Sequence, residues 1–212
     1  MKYIVFIYML ASLMLSSCSQ KAEVVVVRPQ VEMLTNPLGI NVTTPRFSWV
    51  IQCKANEVRQ TGYHILVASS LENLNNGIGD LWDTGVVPSD VSVYIPYEGL
   101  PLESRQQVFW KVRLQTNRGP SAWSEPNTWS MGLLEEADWQ AQWIGHSAFP
   151  VDKLKGHTVV PARYLRKDFR VANKGVKRAT LYISGLGLYE AYVNGNRWVS
   201  SNWRLAQRTT IN

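Results

Sequence analysis

The sequence is poor in the residues that build metal and redox sites. It holds two Cys, Cys18 and Cys53, and three His, His64, His146 and His157, in 212 residues. No Cys/His spacing has the form of a zinc site, and three widely separated His do not suggest a cluster. No metal and no cofactor is therefore expected. Helical periodicity is almost absent, which argues against a helical bundle. Charge of one sign is not concentrated either. The net charge is +6, but the Lys and Arg are scattered. Their densest group, Arg163, Arg166, Lys167 and Arg170, alternates with apolar residues as on a solvated strand face, so no nucleic-acid partner is expected.

What is present is apolar and aromatic. The chain is 45% hydrophobic and 18% charged, with nine Trp and nine Tyr. That composition belongs to a folded chain, with rings that pack β-sandwich cores and also stack on sugars.

The first residues read as an address. Met1-Lys2 is a short basic start, Tyr3 to Leu15 an apolar run too short for a comfortable bilayer span, and Leu15-Ser16-Ser17-Cys18 a cleavage site. These four residues resemble a bacterial lipobox, which makes Cys18 the lipidation site and residues 1–18 a signal peptide. Acyl chains hold a protein on a membrane because each buried methylene contributes about 0.8 kcal/mol. The expectation is an exported lipoprotein of a Gram-negative cell, in the outer membrane or periplasm. Its only membrane contact would be that lipid. Cys53 lies in an apolar run and reads as a small buried hydrophobe.

From residue 24 to 132 the chain reads as short strands with turn punctuation: Phe47–Ile51, Gly62–Ala68, Ser92–Ile95, Val108–Leu114 and Thr128–Met131. Tyr63, Ile65 and Val67 share one face, which puts His64 on the solvent side. Val108, Trp110 and Val112 face away from Phe109 and Lys111. Asn73–Gly79 reads as a loop and Asn117–Pro120 as a turn. This pattern predicts a β-sandwich over 24–132. A linker over 133–160 follows, where Leu133–Trp139 could form one helical turn and Trp139 and Trp143 would pin two domains together. A second β-domain spans 161–212, with strands at Tyr164–Val171, Ala179–Ser184 and Leu188–Val193. Asn194-Gly195 is a hairpin turn.

Several segments resemble the N-terminal region of bacterial α-L-rhamnosidases of glycoside hydrolase family 78. They include Asn36-Pro37-Leu38-Gly39-Ile40, Pro45-Arg46-Phe47-Ser48-Trp49, Leu81-Trp82-Asp83-Thr84-Gly85 and Trp139-Gln140-Ala141-Gln142-Trp143-Ile144-Gly145. Tyr189-Glu190-Ala191-Tyr192-Val193-Asn194-Gly195 continues the series in the same order. The resemblance implies an all-β chain, an Ig/fibronectin-III-like sandwich followed by an incomplete jelly-roll sandwich. It also implies catalysis later in the family's chains, in an (α/α)-barrel, where two carboxylates perform inverting hydrolysis. No catalytic residue is carried over to this chain.

The tail departs from the family pattern after Asn194-Gly195. Shifting the reading frame by two bases forces Gly at the Trp198/Val199 junction and Leu at Asn202/Trp203, and permits a family-like continuation. The expectation is a truncated product of a frameshifted rhamnosidase gene or of a sequencing error. A second domain cut after roughly four strands would keep open edges and be partly unfolded. The functional expectation is a non-catalytic N-terminal fragment of an exported enzyme that releases terminal α-L-rhamnose. The alternative is a stand-alone carbohydrate-binding or spacer lipoprotein. A rhamnose-containing glycan would then meet Tyr189, Glu190, Tyr192 and Asn194, although Asn194 is needed for its turn and the two Tyr fit a core equally well.

Overall fold

A computed structural model describes residues 24–145, 163–171, 175–176, 178–186, 188–198 and 209–211. Strands β1 (Val24–Val31), β2 (Arg46–Cys53) and β5 (Ile95–Pro96) form one antiparallel sheet in the order β1-β2-β5. Strands β3 (Gln60–Ala68), β4 (Trp82–Asp83), β6 (Gln107–Thr116) and β7 (Gly119–Trp123) form the second, in the order β4-β3-β6-β7. Strand β8 (Asn127–Ser130) follows β7 along the same edge of β6.

The core lies between the two sheets. Val108, Trp110, Val112 and Leu114 alternate along β6 and are buried, as the sequence pattern requires. Together with Ile65 and Val67 of the neighbouring β3 they face Phe47 and Trp49 of β2. Phe47 is the aromatic hub: its ring centroid is 4.7 Å from Trp110 and 5.6 Å from Trp129. The tilted and edge-on geometries are those that ring quadrupoles favour. Where β7 bulges away from β6, hydroxyls complete the ladder. Ser121 Oγ accepts from Leu114 N and Ser124 Oγ from Val112 N. The first and last segments of the sandwich are joined by a parallel bridge between Ile40 and Met131. Ile40 N donates to Ser130 O, and Gly132 N donates to Ile40 O.

Several expectations are corrected. Asn73–Gly79 is not wholly loop, because Leu71–Asn75 forms a short helix, α1, whose Ser70 N-cap accepts from Asn73 N. Leu74 buries itself against Leu66 and Ala68 on the outer face of β3. That face is therefore a second small core. His64 is not solvent-facing: its side chain is 17% exposed, with Nε2 2.6 Å from Asp83 Oδ1 and the Trp123 ring 5.0 Å away. The neighbouring β4 supplies Asp83, and β7, on the far side of β6, supplies Trp123. Ser92–Ile95 pairs regularly only from Ile95, because Tyr94 adopts a left-handed backbone, φ 55°. Cys53 is half-buried at the end of β2 and accepts from Ala55 N.

Beyond the sandwich, Glu136–Asp138 makes a single 3-10 turn. Trp143 is 71% exposed, so among the described residues it is not packed as a pin between two domains. Tyr164–Val171 is not a strand, and its residues are exposed. A ladder needs a partner, and none of the described residues pairs with this segment. Arg163, Arg166, Lys167 and Arg170 are consequently an exposed irregular segment rather than a sheet face. Among the described residues, the second region holds two antiparallel pairs. One joins β9 (Ala179–Leu181) to β12 (Thr209–Ile211), and the other joins β10 (Ala191–Val193) to β11 (Asn196–Trp198). Strand β10 is thus shorter than expected, and Leu188 is 87% exposed. The turn between β10 and β11 is as read: Asn194 and Gly195 have φ of 50° and 79°, the left-handed pair of a tight hairpin.

Candidate functional site

The sequence-predicted sugar contacts sit on and before the β10–β11 hairpin. Glu190 is their centre: Tyr192 Oη donates to its Oε2 at 2.8 Å, and Arg197 Nη2 lies 2.5 Å from its Oε1. The hydrogen bond to Glu190 comes first in raising the Tyr192 phenol above its ordinary pKa. Tyr189 lies over Gly185, where a Cβ would meet its Cδ1 at 2.6 Å, and Tyr192 is exposed. Asn194 is occupied as the turn residue. The structure thus joins Glu190 and Tyr192 and leaves Tyr189 and Asn194 with separate local tasks. Cys18, His146 and His157 lie outside the described residues.

A second site was not legible in the sequence. A cleft of about 320 Å³ opens between the sandwich and β9, lined among others by Asn36, Arg105, Gln107, Arg178, Thr180 and Tyr182. Arg178 Nη1 donates to Gln107 Oε1 at 2.6 Å, and the Arg105 guanidinium stands 5.9 Å from the Tyr182 ring centre. Arg105 has a left-handed backbone, φ 66°, and its N–H donates to Gly132 O. Arg105 Nη2 donates to Asp138 O at 2.7 Å. Asp138 also accepts from Ser104 Oγ and from Glu135 N. The Ser104 hydroxyl, then the backbone donors, hold the Asp138 carboxyl below the ordinary range. Gln107 and Arg178, which meet across this cleft, are 71 positions apart in sequence, and no local motif links them.

Three carboxylates of the sandwich, Glu32, Asp80 and Asp83, make structural contacts. Glu32 pairs with Arg46 in a fork, Oε2 to Nη2 at 2.8 Å. Burial works to raise the Asp80 and Asp83 carboxyls. Hydrogen bonds from Ser69 to Asp80, and from Gly85 and His64 to Asp83, outweigh it and leave both lowered. A glycosidase's general acid needs the opposite, a carboxyl held protonated near neutral pH. Among the described residues no group of three or more His, Cys, Asp or Glu is placed to hold a metal ion, and no helix is long and apolar enough to cross a membrane.

Comparison with known proteins places these features. Residues 26–135 match the family model of the Rha78A-like N-terminal immunoglobulin domain, and residues 174–207 match that of the alpha-L-rhamnosidase N-terminal domain. An alpha-L-rhamnosidase of Formosa agariphila is 36% identical over 179 residues, covering 77% of this chain and 19% of the relative. One from Streptomyces avermitilis is 34% identical over 186 residues, covering 80% and 18%. Among solved structures, the alpha-L-rhamnosidase from Dictyoglumus thermophilum aligns with a TM-score of 0.69 at 37% identity, over 82% of this chain and 20% of that one. The Streptomyces avermitilis enzyme complexed with L-rhamnose aligns with a TM-score of 0.55 at 41% identity, over 57% and 12%. The chain spans about one fifth of the length of the curated relatives it matches. With an antiparallel sandwich whose residues 26–135 fit the immunoglobulin-domain model over more than half of its length, this chain belongs to the α-L-rhamnosidase family through that family's N-terminal region.

Proposed function

We propose that this chain is the non-catalytic N-terminal part of an exported α-L-rhamnosidase, a β-module that stands ahead of the domain that hydrolyses terminal α-L-rhamnose. The observation that carries the reading is the order of the two family matches, immunoglobulin domain then N-terminal domain, over a chain that spans about a fifth of its relatives. The chemistry agrees. The described carboxylates whose protonation is clearly displaced, Asp80, Asp83 and Asp138, are all held ionised by local donors. Carboxylates held in this way do not supply the protonated acid that inverting hydrolysis requires.

The test is a chimera. The chain replaces the matching fifth of the Formosa agariphila enzyme, and hydrolysis of a chromogenic α-L-rhamnoside is measured. Activity well above that of the enzyme lacking this fifth supports the reading, and activity no better than the deletion overturns it. The chain alone is expected to release no rhamnose.

Export and anchoring belong to the same proposal and rest on Leu15-Ser16-Ser17-Cys18. Radiolabelled palmitate should enter the wild-type chain in a Gram-negative host and not Cys18→Ser. Equal labelling of both would remove the anchor from the reading. For direct sugar contact, Tyr189→Ala and Tyr192→Ala should weaken any rhamnoside binding by the chain.

A further inference from the structure

The cleft between the sandwich and β9 carries an electrostatic imbalance. Arg105 contributes a guanidinium from one side and Arg178 from the other, and no carboxylate lines the cleft among the described residues. Arg105 has Asp138 for a partial counter-charge, but the nearest approach of their charged atoms is 4.0 Å and Asp138 stands outside the cleft. Arg178 donates to a neutral amide oxygen, that of Gln107. The remaining walls suit a polyol. Beside the apolar Leu38, they offer the amide N–H groups of Asn36 and Gln107, whose oxygens are taken by Thr128 N and Arg178, the hydroxyl of Thr180 and the ring of Tyr182. The volume is at the small end of ligand-sized clefts, which run from about 300 to 1,000 Å³. The left-handed backbone of Arg105 is a conformation that persists only where the surroundings hold it, and such positions gather at binding sites.

We infer that this cleft binds a uronate, the carboxylate-bearing sugar unit of an acidic glycan. The carboxylate meets the Arg178 fork and the ring lies against Tyr182. Guanidinium matches carboxylate in two parallel hydrogen bonds, which a hydroxyl cannot imitate. The sugar half of this inference rests on the reading of the chain as part of a glycan-processing enzyme. The carboxylate half rests on the two arginines alone.

The experiment titrates the full chain, labelled with nitrogen-15, with a three-unit oligo-uronate, its carboxyl-reduced neutral counterpart, and acetate. The oligo-uronate should move the amide signals of Arg178, Thr180 and Tyr182 saturably. The neutral counterpart and acetate should each bind at least about tenfold more weakly, since one charge-assisted bidentate contact contributes on that order. Raising the salt should weaken the oligo-uronate. Arg178 is exposed, so Arg178→Gln should keep the sandwich signals in place while losing about tenfold in affinity, and Arg178→Lys should fall between. Equal binding of the neutral counterpart overturns the inference. So does equal binding of acetate, the absence of any saturable shift, or unchanged affinity in Arg178→Gln. None of these outcomes touches the chimera's activity, so the two proposals fail separately.

Discussion

Trp49 is almost fully buried, and its indole N–H donates to Gln60 Oε1 at 3.1 Å. The same Gln60 amide donates to Ser89 O and Val91 O, so one side chain satisfies three polar groups from two other segments. Gln60→Leu strips the acceptor from the indole and the donor from both carbonyls. The expected loss is about 1–3 kcal/mol, the cost of leaving a buried polar group unpaired. It is read as a lower urea midpoint at constant slope, and a change within error would show that water replaces the amide. The carboxylates set a pH dependence. Asp80 and Asp83 are held below their unfolded-state pKa, so the folded form binds fewer protons in the acid range. Their stabilisation is present above about pH 4, the ordinary Asp range, and disappears as the pH falls through the lowered folded values. Thermal unfolding should therefore move to lower temperature as the pH falls from about 5 to about 3, roughly the range over which such groups titrate. Asp80→Asn should flatten that slope, and an unchanged slope would locate the acid sensitivity elsewhere.

At the scale of elements, α1 tests the second small core. Leu74→Ala empties a fully buried position against Leu66 and Ala68 and should cost about 2–5 kcal/mol. Ser70→Ala removes only the cap and should cost about 1 kcal/mol. Chemical denaturation of the two variants should rank them in that order. The inner face of β6 was legible in the sequence because Val108, Trp110 and Val112 repeat with period two. The outer face was not. His64 read as solvent-facing and Lys111 only as opposite the Val108, Trp110 and Val112 face, yet Lys111 Nζ donates to Leu74 O at 2.6 Å and lies 5.1 Å from the Trp123 ring. Alternation reports which residues share a face, and not whether a distant helix or indole covers that face. The hairpin at Asn194-Gly195 was legible because its backbone demands those two residues. Tyr164–Val171 has strand composition without a paired strand among the described residues. The Arg105–Arg178 cleft had no local signature, since its walls meet only after folding.

At the scale of the whole molecule, the two regions differ in how much they bury. The sandwich holds the buried aromatic cluster, whereas Tyr164, Leu165, Phe169, Leu186 and Leu188 are exposed. Local opening is easiest where few apolar contacts are made. Limited proteolysis should cut after residue 132 and before residue 179 and leave a resistant fragment that contains β1 to β8. Uniform protection of the full chain would contradict this contrast. The bridge between Ile40 and Met131 has a mechanical consequence. Its two segments run parallel, so tension applied before Ile40 and after Gly132 pulls them past each other lengthwise. The bonds Ile40 N to Ser130 O and Gly132 N to Ile40 O then stretch together instead of peeling apart one by one. A module held at one end by a tether and at the other by a heavy neighbour would meet drag with its shear-resistant direction.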